Sequence, residues 1–144
     1  MLSTRRTLLP LLFIALFAGC GGSQASDPVP DDRGRASDRL QGEWVLTTFQ
    51  PAHQLEPMLA TLLAAQMDKL TVTMRAGAMS IRGVGVQAER SYRVVQATED
   101  GFSAEVADQT GVTYQVTGEF QGLDLGFRAH TDPWQGTGRL HRVR

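Results

Sequence analysis

VTYQVTGEFQGLDLGF, Val112 to Phe127, is the stretch whose reading decides the fold. Val112, Tyr114, Val116, Gly118 and Phe120 fall on one face of an extended chain, and Thr113, Gln115, Thr117 and Glu119 on the other. Successive side chains of a strand point to opposite faces, so this alternation marks a strand with one side on a core and one in water. Gln121-Gly122 reads as a two-residue turn, with glycine supplying a positive φ. Leu123, Leu125 and Phe127 then resume the apolar face, completing an antiparallel hairpin.

Working outward, the same period of two recurs. Trp44 and Leu46 share a face within Gly42–Phe49, as do Leu70, Val72 and Met74, then Met79, Ile81 and Gly83. Tyr92 and Val94 form a further short run, and Phe102, Ala104 and Val106 alternate with Ser103 and Glu105. The segment Gly136–Arg144 reads as a basic closing strand. Short connections such as Ala76-Gly77-Ala78, Glu99-Asp100-Gly101 and Asp108–Gly111 carry turn-forming residues. Eight strands in sequential antiparallel order predict an all-β meander that closes into a barrel and so removes its exposed edges. Between the first and second strands, Leu55, Met58, Leu59, Leu62, Leu63 and Met67 recur at helical spacing. Pro57 suits a first helical turn, so one α-helix is expected there, its apolar stripe lying on the end or flank of the barrel.

The first forty residues are of another kind. Met1–Thr7 carries two arginines and no acid, and Leu8–Ala18 is apolar, interrupted by Pro10. As a helix, eleven residues rise about 17 Å, too little for the roughly 30 Å of a bilayer core. The layout is that of a secretory signal. Phe17-Ala18-Gly19-Cys20 resembles the lipobox of bacterial lipoproteins, although Leu is commoner than Phe at the first position. The resemblance implies cleavage between Gly19 and Cys20, lipidation of Cys20 and attachment to the membrane through that lipid. It also implies a place in the bacterial cell envelope, with Gly21 leaning toward the outer membrane, facing the periplasm. Cys20 is the only cysteine, so it has no disulfide partner. The organisation expected is therefore a signal at 1–19, a lipidated cysteine and flexible tether at 20–38, and a folded domain at 39–144. Within the tether only Val29 is large and apolar.

Arg39-Leu40-Gln41-Gly42-Glu43-Trp44 resembles the Gly-x-Trp opening strand of lipocalin-like (calycin) domains. The resemblance covers 39–144 in architecture but about six residues in motif. It implies that Trp44 plugs one barrel end and that an arginine of the last strand, Arg142 or Arg139, packs across it. The chain is shorter than a full lipocalin and shows no second or third lipocalin signature.

Chemistry is sparse. Of His53, His130 and His141, only His130 lies close in sequence to a carboxylate, in His130-Thr131-Asp132-Pro133, and that run reads as a turn. Neither a spaced metal-ligand set nor a nucleophile elbow accompanies it. Gly83-Val84-Gly85 lacks the helix and the further glycines of a phosphate loop, and reads as a bend. No enzymatic activity, metal or cofactor is expected. The whole chain has 14 Lys and Arg against 15 Asp and Glu, and loss of Arg5 and Arg6 makes it more acidic, which argues against nucleic acid as a partner. Two functions remain. One is a pocket for a small hydrophobic ligand, lined by Met74, Tyr92, Tyr114 and Phe127 with Trp134 at its edge. The alternative is a non-enzymatic structural or interaction module with a filled core, meeting an envelope protein through surfaces such as Arg139, Arg142 and Arg144.

Overall fold

Each alternating segment is a strand, and each strand pairs antiparallel with the next. The computed structural model describes residues 32–132 and 134–144; the expected signal, Cys20 and the start of the expected tether lie outside the described residues. The order is α1 (Asp32–Leu40), β1 (Gly42–Pro51), α2 (Pro57–Gln66), β2 (Thr71–Arg75), β3 (Ala78–Gly83), β4 (Val86–Ala97), β5 (Gly101–Ala107), β6 (Thr113–Gln121), β7 (Asp124–Ala129) and β8 (Gly136–Arg142). The eight strands form a closed barrel in sequence order. The seam is β1 against β8, with Trp44 opposite Arg142 and Leu46 opposite Leu140.

The hairpin of Val112 to Phe127 sets the register. Phe120 faces Leu125 and Gly118 faces Phe127 across β6 and β7. Its turn falls one residue later than the sequence suggests: Gln121 pairs with Asp124, Gly122 has φ 63°, and Leu123 stands 61% exposed in the turn. Val112 likewise precedes β6 and is exposed. Small residues on the inner wall make room for rings. A side chain at Gly118 would run into the Phe102 ring, and one at Gly138 into the Phe127 ring. Phe102 then packs on Phe120 at 5.3 Å between centroids, and Phe127 on Phe49 at 6.1 Å.

Residues 32–38, expected in the tether, belong instead to α1, which caps one end of the barrel. Ala36 and Leu40, four apart and so on one helical face, are buried in the barrel core. Two apolar residues suffice because the helix is also held by polar contacts. Arg39 donates to the Glu99 carbonyl oxygen at 2.9 Å and lies 4.1 Å over the Phe120 ring. The chain then reverses at Gly42, whose φ of 129° and whose closeness to the Arg144 carbonyl oxygen both require glycine.

The second helix lies between β1 and β2, with Pro57 in its first turn. Its apolar residues do not form one buried stripe. Met58 is 82% exposed, and the buried residue of α2 is Gln66. The Gln66 amide donates to the Val84 carbonyl oxygen at 2.8 Å and accepts from the Val84 N–H at 2.9 Å, pinning α2 to the β3–β4 turn.

Candidate functional site

The barrel is hollow. A cavity of about 600 Å³ occupies its interior, within the range of small-molecule sites. Its floor is Leu40 of α1 with Leu46, Leu125 and Leu140; its walls include Val72, Met74, Ile81, Phe102, Val106 and Val116. At the far end stand Leu62 and Leu63 of α2, Val86, and Trp134 of the β7–β8 loop. The aromatic and aliphatic lining follows from the period-two pattern, since every inward position of a strand contributes to it.

The floor is sealed by an assembly of three elements. Trp44, 1% exposed, donates its indole N–H to the Leu40 carbonyl oxygen at 2.8 Å. The Arg142 guanidinium lies 4.3 Å over the Trp44 ring and donates to the Gln41 carbonyl at 2.9 Å and to the Arg39 carbonyl. The Arg39 carbonyl belongs to the last turn of α1 and Gln41 follows the helix directly, so the cation also meets the negative end of the helix dipole. Arg139 faces outward, 4.0 Å from Asp124, so Arg142 is the arginine on Trp44.

Of the ligand residues expected from sequence, all five border the cavity. Met74 and Tyr92 are buried, Tyr114 and Phe127 are half-buried, and Trp134 is 39% exposed at the mouth. Among the described residues, the buried Tyr92 hydroxyl has no hydrogen-bond partner. Its burial pushes the phenol pKa above 10.0, against weaker opposing effects of the Gly77 backbone and the Ser37 side chain. The Tyr114 hydroxyl donates to Asp108 at 3.4 Å.

The cavity also takes residues that the sequence reading did not name, among them Val86, Ala88 and Arg90. Arg90 is the only charged side chain on the lining among the described residues. The sequence signal was there, because Val86, Ala88, Arg90 and Tyr92 keep one parity. Reading the strand from Tyr92 onward hid it, whereas β4 begins at Val86 and runs for 12 residues.

The histidines are placed apart. His130 Nε2 lies 3.0 Å from the Thr117 hydroxyl, and His53 Nε2 lies 3.2 Å from Gln135. His141 pairs with Asp124 at 2.7 Å on the outer wall, an imidazole–carboxylate contact made across β7 and β8 rather than along the chain. Among the described residues no group of three or more His, Cys, Asp or Glu side chains is arranged to hold a metal ion. In Gly83-Val84-Gly85, Gly83 ends β3 and Val84-Gly85 is the β3–β4 turn that Gln66 grips.

Fold and site together define a closed eight-stranded barrel with one sealed end and an internal apolar cavity. Comparison with protein-family models, with curated proteins and with solved structures gives no match.

Proposed function

We propose that the chain is a lipid-anchored protein of the bacterial cell envelope whose lipocalin-like barrel holds a small hydrophobic molecule. The observation that carries the ligand reading is the cavity of about 600 Å³ with its nearly uniform apolar lining. A merely structural barrel of eight strands is normally filled by its own side chains. Trp44 near the start of the first strand, with Arg142 of the last strand over its ring, is the arrangement that the lipocalin resemblance implies. Burying a twelve-carbon chain at about 0.8 kcal/mol per methylene gives a gross gain of about 10 kcal/mol. Association costs of several kcal/mol reduce this to an affinity of micromolar order or weaker.

The anchor is supported by the lipobox-like Phe17–Cys20, Cys20 being the only thiol. Two or more acyl chains on one cysteine hold a protein stably at a membrane. Cys20→Ser should leave an uncleaved precursor that takes up no radioactive fatty acid; continued labelling would remove the anchor from the reading. For the barrel, native mass spectra of the protein should show an added mass of a few hundred daltons, lost on denaturation. A bare mass that persists after incubation with lipid extracts would count against a ligand.

A second reading, an interaction module, is favoured by the apolar side chains exposed around the mouth. Met58 is 82%, Val84 48% and Trp134 39% exposed. Grouped apolar exposure is a common mark of a docking surface.

A further inference from the structure

From the placement of Arg90 we infer that the cavity takes an anionic amphiphile: an alkyl chain in the barrel and a carboxylate or phosphate headgroup on the Arg90 guanidinium. The inference rests on the ligand-binding reading above and names the class of ligand.

Arg90 projects from the inner face of β4 into a lining that is otherwise almost wholly aliphatic and aromatic. A guanidinium beside apolar surface gains a charge-assisted contact from an anion that the lining does not supply, and Arg90 is half-buried at this lining. Its one hydrogen bond among the described residues is to the adjacent Glu89 carbonyl oxygen, at 2.9 Å. The acids that might have served are committed elsewhere. Glu89 points outward and accepts from the Ser80 hydroxyl at 2.8 Å. Asp108, which follows β5 at this rim, accepts from the Thr110 hydroxyl at 2.6 Å and from the Thr110 and Val112 N–H groups at 2.8 and 3.1 Å. Its other oxygen receives Tyr114. The carboxylate thus ties its own loop together and leaves the guanidinium open.

Position supports the same assignment. Pairing of β4 with β5 begins at Ser91 opposite Ala107, so Val86 to Arg90 run past the end of β5. Arg90 therefore stands where the wall between these strands opens. A headgroup there would keep contact with water while its chain ran inward toward Leu125 and Leu140 on the floor. Entry tail first needs no burial of the charge, and a planar guanidinium can meet either oxyanion in a two-point contact.

The test uses the full-length chain in a nonionic detergent, with the uncharged fluorophore N-phenyl-1-naphthylamine as reporter. Hexadecanoate, hexadecyl phosphate, hexadecanol and hexadecylammonium compete for the site. Hexadecanoate or the phosphate should displace the reporter about ten- to a hundredfold better than hexadecanol, the span of a charge-assisted contact. Hexadecylammonium should be the poorest competitor. Preference between the two anions tells a fatty acid from a phosphorylated lipid. Arg90→Leu should bring anion and alcohol to parity, with retained reporter binding showing that the variant folds; Arg90→Lys should keep part of the preference. Equal displacement by anion and alcohol in the unaltered chain, or a preference that survives in Arg90→Leu, would overturn the inference while reporter binding upheld the cavity reading. Failure of the reporter and of every competitor to bind would sink both.

Discussion

Replacing Arg142 with alanine removes more than a charge. The guanidinium lies 4.3 Å over a fully buried indole, and a desolvated cation–π contact of this kind is worth about 2 kcal/mol. It also donates to two carbonyls at the end of α1. Hydrogen bonds from charged donors contribute about 1.5–3 kcal/mol when buried and less where water can replace them. Allowing for the exposed edge of the group and for non-additivity, the expected loss is about 3 kcal/mol. Arg139→Ala is the internal control, because its single ion pair is long and half-exposed and should be worth under about 0.5 kcal/mol. Urea unfolding followed by far-UV circular dichroism measures both, and a double-mutant cycle with Trp44→Leu isolates the ring contact. Equal losses for the two arginines, or a loss below about 1 kcal/mol at Arg142, which is the ordinary range of a surface change, would refute the plug as described.

Three further outcomes follow from the same geometry. Gly138→Ala puts a methyl group against the Phe127 ring and the Thr48 carbonyl oxygen; it should cost about 1–3 kcal/mol by overpacking and weaken reporter binding as Phe127 shifts into the cavity. Gln66→Ala orphans both backbone groups of Val84 and should speed hydrogen exchange through α2 and the 84–85 turn while the floor strands stay protected. Tyr92→Phe removes an unpartnered buried hydroxyl and should leave neutral-pH stability unchanged or raise it by up to about 1 kcal/mol. With Tyr92 present, the folded phenol resists ionisation beyond its ordinary 10.0. Its contribution is therefore complete below pH 10.0 and is lost as pH rises through the raised folded value, a sensitivity that Tyr92→Phe should reduce on an alkaline titration.

The barrel was legible because a wall with one dry and one wet side imposes period two on every strand, and short glycine-bearing turns impose sequential pairing. What escaped was held by contacts that leave no periodic trace. In α1, seven of nine residues are polar or glycine, with only Ala36 and Leu40 apolar; its docking depends on Arg142, over a hundred positions away. The apolar pattern of α2 marks a helix at the open end or flank of the barrel but not which of its side chains are buried, since a helix spanning a mouth rather than lying on a packed face exposes Met58 and buries Gln66. Arg90 escaped for a related reason. Apolar alternation marks only apolar inward residues and passes over a charge at an inward position such as Arg90. Within the candidate site, Met74, Tyr92, Tyr114 and Phe127 came from alternation and Trp134 from its place as an aromatic in a glycine-rich loop, whereas the polar anchor required the three-dimensional wall.

Arg142 belongs at once to the seam and to the plug. It pairs with Trp44 in the β1–β8 ladder and caps α1 through the Arg39 and Gln41 carbonyls. The two ends of that ladder lie far apart in sequence, so bringing them together is the slowest kind of contact to form and carries the largest loop-closure cost. Hairpins from β2 to β7 can assemble locally before it. Seating of the first helix and closure of the last strand are then one kinetic event, completed only when β8 is in place. Until that moment β1 and β7 present open edges, and the apolar interior has no floor.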